Sequence, residues 1–77
     1  MINNYFEKGK KYRSYDGFGN HWDIVITGTR THPEGYLWVE YDSMKNDSGN
    51  WNEDGNPMDG FINNIEKGIT IEVIEPK

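Results

Sequence analysis

Two histidines, thirteen acidic side chains and no cysteine set the chemistry open to this 77-residue chain. His21 stands beside Trp22 at the start of a β-branched run, and His32 falls in the turn-like segment Thr31-His32-Pro33-Glu34-Gly35. A nucleophilic site needs a nucleophile, a base and an orienting group within hydrogen-bond reach, and neither histidine has that spacing. Both read as surface or turn residues. Carboxylates are numerous enough for an acid/base pair. A domain this small, however, offers little depth in which burial can raise a carboxyl pKa. The expectation is a chain that is not an enzyme.

Metal and phosphate chemistry fare no better. Asn50-Trp51-Asn52-Glu53-Asp54-Gly55 partly matches the opening of a calcium loop, where oxygen ligands alternate and Gly allows a sharp turn. The first ligand is Asn rather than Asp, and the twelfth position is Phe61 instead of a bidentate Glu. Asp47, Asn52, Asp54 and Asp59 therefore read as ordinary turn chemistry. Gly17-Phe18-Gly19 is followed by neither a third glycine nor Lys-Ser/Thr, so it joins strands and cradles no phosphate. No metal and no cofactor is expected.

Aromatic rings carry more information. Tyr12, Tyr15, Phe18, Trp22, Tyr36, Trp38 and Trp51 are more than a small core hides. Exposed Trp and Tyr serve as binding anchors because they bury much area at low rotamer cost. The candidate partner-binding set is Tyr15, Tyr36, Trp38 and Trp51, ringed by Glu40, Asp42, Glu53 and Asp54. The rings would supply desolvated contact and the carboxylates would steer a basic protein partner. The competing reading packs Trp38 on Trp51 beneath a long loop. An alternative use of the rings is stacking on single-stranded nucleic acid beside Lys8, Lys10, Lys11 and Arg13.

Charge weighs against that alternative. Residues 1–38 hold five Lys/Arg against four Asp/Glu, whereas residues 39–77 hold three against nine. An acidic half repels phosphate backbones. It also keeps a small protein soluble, whatever its function.

The elements that must position these residues are strands. Residues 21–42, HWDIVITGTRTHPEGYLWVEYD, alternate on either side of a Pro/Gly turn and read as an antiparallel hairpin. Within it Trp22, Ile24 and Ile26 share one face. Leu37 and Val39 are expected in the core, with Trp38, Glu40 and Asp42 on the wetter side. Gly28 marks a bulge or a close approach. A first strand covers 11–15, and Asp16-Gly17-Phe18-Gly19-Asn20 loops into the second. Residues 43–56 are polar and turn-rich and read as one long connection. A helical signal follows, with Asn56 as cap, Pro57 in the first position, Asp59 in the first turn and Gly68 as the stop. Met58, Phe61, Ile62 and Ile65 lie on one face of it. The glycine at 60 allows the helix to shrink to a single 3₁₀ turn. Residues 69–75 form a last strand, ended by Pro76.

Seventy-seven residues make a single domain, 1–77. The implied fold is mainly β, a small SH3-like open barrel of four to five antiparallel strands with one short helical turn near 57–67. A split α+β sandwich is the runner-up.

The run Lys11-Tyr12-Arg13-Ser14-Tyr15-Asp16-Gly17, with Trp22-Asp23-Ile24-Val25 after it, resembles a family of short uncharacterised bacterial proteins with an SH3-like barrel. Their opening reads Tyr-Arg-His-Tyr-x-Gly and leads into an aromatic-x-Val strand, so Ser14 stands where the family has His. The family's later Pro-x-x-x-Phe-x-x-x-Val matches the spacing of Pro57, Phe61 and Ile65. The central turn and the stretch after it do not match. The resemblance implies a fold and no activity.

The chain lacks an apolar run near the roughly 20 residues of a membrane span. Its start, Met1-Ile2-Asn3-Asn4-Tyr5-Phe6-Glu7, has no basic and apolar signal-peptide pattern. A cytoplasmic accessory or inhibitor protein of a bacterium or its phage is expected, as a monomer or weak homodimer.

Overall fold

Five strands and one helix make up the computed structural model, which describes residues 5–74. They run as β1 (Lys11–Tyr15), β2 (His21–Thr31), β3 (Leu37–Lys45), β4 (Asn52–Pro57), α1 (Met58–Glu66) and β5 (Thr70–Glu72). All pairings are antiparallel, and the strands form one open sheet ordered β4-β3-β2-β1-β5. The mainly β reading, four to five antiparallel strands with one short helical turn, therefore stands, with five strands and a helix of nine residues. Among the described residues no helix is long and apolar enough to cross a membrane.

Residues opposite one another in an antiparallel pair project to the same side. The register Tyr12↔Ile24, Ile26↔Tyr41 and Val39↔Asn56 thus gathers the large apolar side chains on one face, here called inner. Tyr12, Ile24, Ile26, Val39 and Tyr41 are buried there under Phe61 of α1. The Phe61 ring lies 5.3 Å from Tyr12, 5.6 Å from Tyr41 and 5.6 Å from Phe6, edge-on or tilted. Such geometries suit the ring quadrupole and add to the burial. The helix packs against β3, β4 and β5. Since β4 and β5 are the two ends of the sheet, the sheet must curve until both edges meet the helix.

Local chemistry sets the joints. Asp16 accepts hydrogen bonds from the Phe18 amide at 2.7 Å, the Asn20 amide at 3.1 Å and Asn20 Nδ2 at 2.7 Å. These bonds, the Asn20 side chain first, hold its carboxyl below the usual range. The ladder between β2 and β3 shifts between Ile26 and Gly28, so Gly28 does mark a bulge. The helix ends in a Schellman motif: Gly68, at φ 76°, donates to the Ile65 carbonyl, and Ile69 donates to that of Asn64.

Four expectations need correction. Residues 43–56 are no single loop, because β3 runs to Lys45 and Asn52–Pro57 is a strand. Asn56 does not cap the helix. Pro57 occupies the cap position without a side-chain bond, while the Asn56 amide donates to the Tyr41 hydroxyl at 2.8 Å. Leu37 points to the inner side but is 55% exposed, since it pairs with Thr31 at the far end of the hairpin. The last strand covers Thr70–Glu72 only; Glu75 and Pro76 lie outside the described residues.

Tyr12 and Tyr41 give the core a pH signature. The Tyr12 hydroxyl donates to the Tyr5 carbonyl at 2.7 Å. Burial, and then the Glu72 carboxylate, pushes the Tyr12 phenol up to about 12. Burial and then Asp54 do the same for Tyr41, also to about 12. A raised folded-state pKa means that the folded chain holds its proton more tightly. The stabilisation is complete below the unfolded value of about 10 and disappears as pH rises through the folded one. Denaturant midpoints should therefore hold up to about pH 10 and fall steadily towards pH 12. Tyr41→Phe should shrink that alkaline fall, while costing about 1 kcal/mol at neutral pH for the lost Asn56 bond.

Candidate functional site

The face of the sheet away from α1 is the outer face, and among the described residues no helix covers it. By register it carries Arg13 and Lys11 from β1, Asp23 and Val25 from β2, and Glu40 and Asp42 from β3. Glu53 and Gly55 of β4 and Ile71 of β5 lie on the same side. Most of the sequence-expected binding residues stand here, but they separate into two clusters with an acidic strip between them.

At one end Tyr15 and Trp51 border a groove of about 530 Å³ together with Arg13, Asp23, Ile71 and Val73. Trp51 is 49% exposed and Tyr15 46%. Trp51 reaches this place through the turn after β3. There Asn46 (φ 49°) and Asp47 (φ 58°) take left-handed backbone, a region Asn and Asp tolerate better than most residues. The Asn46 side chain accepts from the His21 amide at 2.9 Å and donates to Asn20 at 2.8 Å. The turn is thereby tied to the start of β2. On the groove floor Arg13 Nε lies 2.8 Å from Asp23 Oδ1, across directly paired positions of β1 and β2. That bond holds the guanidinium pKa further above its already high ordinary value.

At the other end the β2–β3 turn collects a second cluster. His32 stacks on Tyr36 with centroids 4.3 Å apart, and Trp38 lies 5.5 Å from His32 and 6.3 Å from Tyr36. Arg30 sits 5.9 Å over the Trp38 ring and pairs with Glu40 at 3.5 Å. Trp38 is only partly exposed because its indole lies across Gly55 of the neighbouring strand, where any Cβ would collide with it. Among the described residues no ring contact joins Trp38 to Trp51. The single patch expected from sequence is therefore two, and the packed Trp38–Trp51 pair is not formed.

Between them stand the acids. Asp42 and Glu53 are directly opposed across β3 and β4. Like charges so placed repel, and among the described residues neither has a cationic partner. Asp42 is also opposite Val25, which lines the groove, so the acidic pair adjoins the groove wall. Asp54 departs from expectation. It is opposite Tyr41 and so lies on the inner face, where it cannot join this strip. Of the basic segment, Lys10 pairs with Glu72 at 3.4 Å and Arg13 with Asp23, so these cations already have internal partners.

Sequence reasoning missed Asp23, Val25, Ile71 and Val73 as groove residues. The alternation Thr70-Ile71-Glu72-Val73 held the signal, since it places two aliphatics on the face of Arg13. It also missed that His21, Asp23 and Asp47 bring ligand atoms within 4.8 Å of one another. The Arg13 guanidinium already neutralises Asp23 there, and His21 Nε2 meets Asp47 at 3.3 Å. Compared with protein-family models, with curated proteins and with solved structures, the chain matches none. Function must be argued from its own residues.

The Trp38–Gly55 contact makes a sharp prediction. Gly55→Ala should destabilise by about 1–3 kcal/mol, the usual cost of overpacking, and should shift indole fluorescence as Trp38 is displaced. In a Trp38→Ala background the same change should cost much less. Equal costs in both backgrounds, measured by urea unfolding, would show that the ring does not rest on residue 55.

Proposed function

We propose that this chain is a non-enzymatic binding protein that engages a basic segment of a protein partner through the outer groove. The observation that supports the reading is the groove itself. Trp51, Tyr15, Ile71 and Val73 present exposed apolar surface beside an acidic pair, Asp42 and Glu53, that has no cationic partner among the described residues. The rings and aliphatics supply area whose desolvation favours association, and a Lys or Arg of the partner relieves the repulsion between the two carboxylates. The Tyr36–Trp38 cluster, held by its own contacts, stands outside this surface. An accessory or inhibitor protein in the cytoplasm of a bacterium or its phage is the setting we infer, as a monomer or weak dimer.

Affinity capture from bacterial lysate, followed by titration of the purified captured protein, tests this. Trp51→Ala and Tyr15→Ala should each weaken binding about tenfold or more, as anchors do. Trp38→Ala should leave affinity nearly unchanged, and raising salt from 50 to 500 mM should weaken the complex. An affinity indifferent to Trp51→Ala, Tyr15→Ala and salt together would refute the groove. In parallel, single-stranded oligonucleotides at low salt should produce no fluorescence quenching. Saturable quenching would instead favour nucleic-acid binding through Lys8–Arg13.

A further inference from the structure

The inner face holds a second concavity, unrelated to the groove. Beside the Phe61 ring, where the chain leaves β4 and β5 unpaired, a cavity of about 280 Å³ opens. Its size is near the low end for small-molecule sites, enough for a single ring. Trp22, Tyr41 and Phe61 supply its aromatic lining.

Its polar groups are the informative part. Ser43 is only 8% exposed and lines the cavity, yet among the described residues its hydroxyl has no hydrogen-bond partner. The hydroxyl is not sealed from water, so it opens onto the cavity and can bond whatever enters it. Asn64 also lines it, with an amide free of protein partners among the described residues. Asn56 spends one N–H on Tyr41 and keeps its carbonyl and second N–H. Thr70 is satisfied, donating to Ser14 at 3.1 Å. Asp54 accepts from its neighbouring Gly55 amide through one oxygen, which leaves the other.

These groups define the ligand's chemistry. Asp54 is the sole charged residue of the lining, so phosphates and carboxylates are repelled. The remaining groups mix donors and acceptors beside aromatic rings. Vicinal hydroxyls on a ring with apolar C–H faces match that mixture, each hydroxyl both giving and taking a bond. We propose that the seam between β4 and β5 is a binding site for one neutral, polyhydroxylated ring, a monosaccharide unit. Asp54 and Asn56 would take a pair of hydroxyls and Ser43 a third.

Amide chemical-shift titration of the full chain with glucose, galactose, mannose and N-acetylglucosamine, up to 100 mM each, tests the proposal. At least one should give saturable shifts at Ser43, Asp54, Asn56 and Asn64, and glucose 6-phosphate should give none. Ser43→Ala removes a hydroxyl without a protein partner, so the variant should fold; its affinity should drop about fivefold or more. Asp54→Asn should weaken binding about tenfold. Trp51→Ala, on the opposite face, should bind the sugar as the parent does, which separates this site from the outer groove. The proposal is overturned if none of the four sugars gives saturable shifts at the seam, or if Ser43→Ala and Asp54→Asn both bind as the parent does.

Discussion

One aromatic ring holds the two ends of this sheet together. Phe61 is the buried residue of α1, and it reaches Tyr12 near one edge and Tyr41 near the other. β4 and β5 share no ladder, and the helix that carries Phe61 packs against both. The helix is nine residues long, too short to be stable alone in water. Its stability comes from this contact, as the curvature of the sheet does. A chain without cysteines has no covalent substitute.

The same closure leaves each face a different task. Inside, a ring-filled core takes up one end and a polar cavity the other. Outside, Arg13 and Arg30 each meet a carboxylate, at Asp23 and Glu40, and among the described residues Asp42 and Glu53 are left facing each other. Exposed ion pairs contribute little stability each. Their effect here is to cancel charge locally, which leaves Asp42 and Glu53 as the outer-face carboxylates without a cationic partner among the described residues.

The readable parts of the sequence were those where burial and periodicity agree. The strand at 11–15, the hairpin, the Gly28 bulge and the Phe61 face of the helix all follow from alternation, turn residues or helical spacing. β4 was hidden because Asn52-Glu53-Asp54-Gly55-Asn56-Pro57 contains no aliphatic or aromatic side chain other than that of its terminal proline. Its inward positions face a polar cavity and its outward glycine lies under Trp38, so neither side needs a hydrophobe. Leu37 misled for the opposite reason, having the right parity at a place the core does not reach. Asp54 was misplaced with β4, since an unseen strand has no faces. The groove needed β5 to lie beside β1, a pairing between residues nearly sixty apart that local pattern does not reveal.

The composition that concealed β4 has a further consequence. An open sheet ends in unpaired backbone donors and acceptors, which invite strands from other molecules. Here one end is a strand with two carboxylates, a glycine and a terminal proline, and the other is three residues long. A neighbouring copy approaching β4 meets its own charge and, at Pro57, a position with no N–H to offer. Against β5 it finds too little backbone to hold. A small acidic chain can thus keep an incompletely closed sheet at high concentration without nucleating a growing stack of strands.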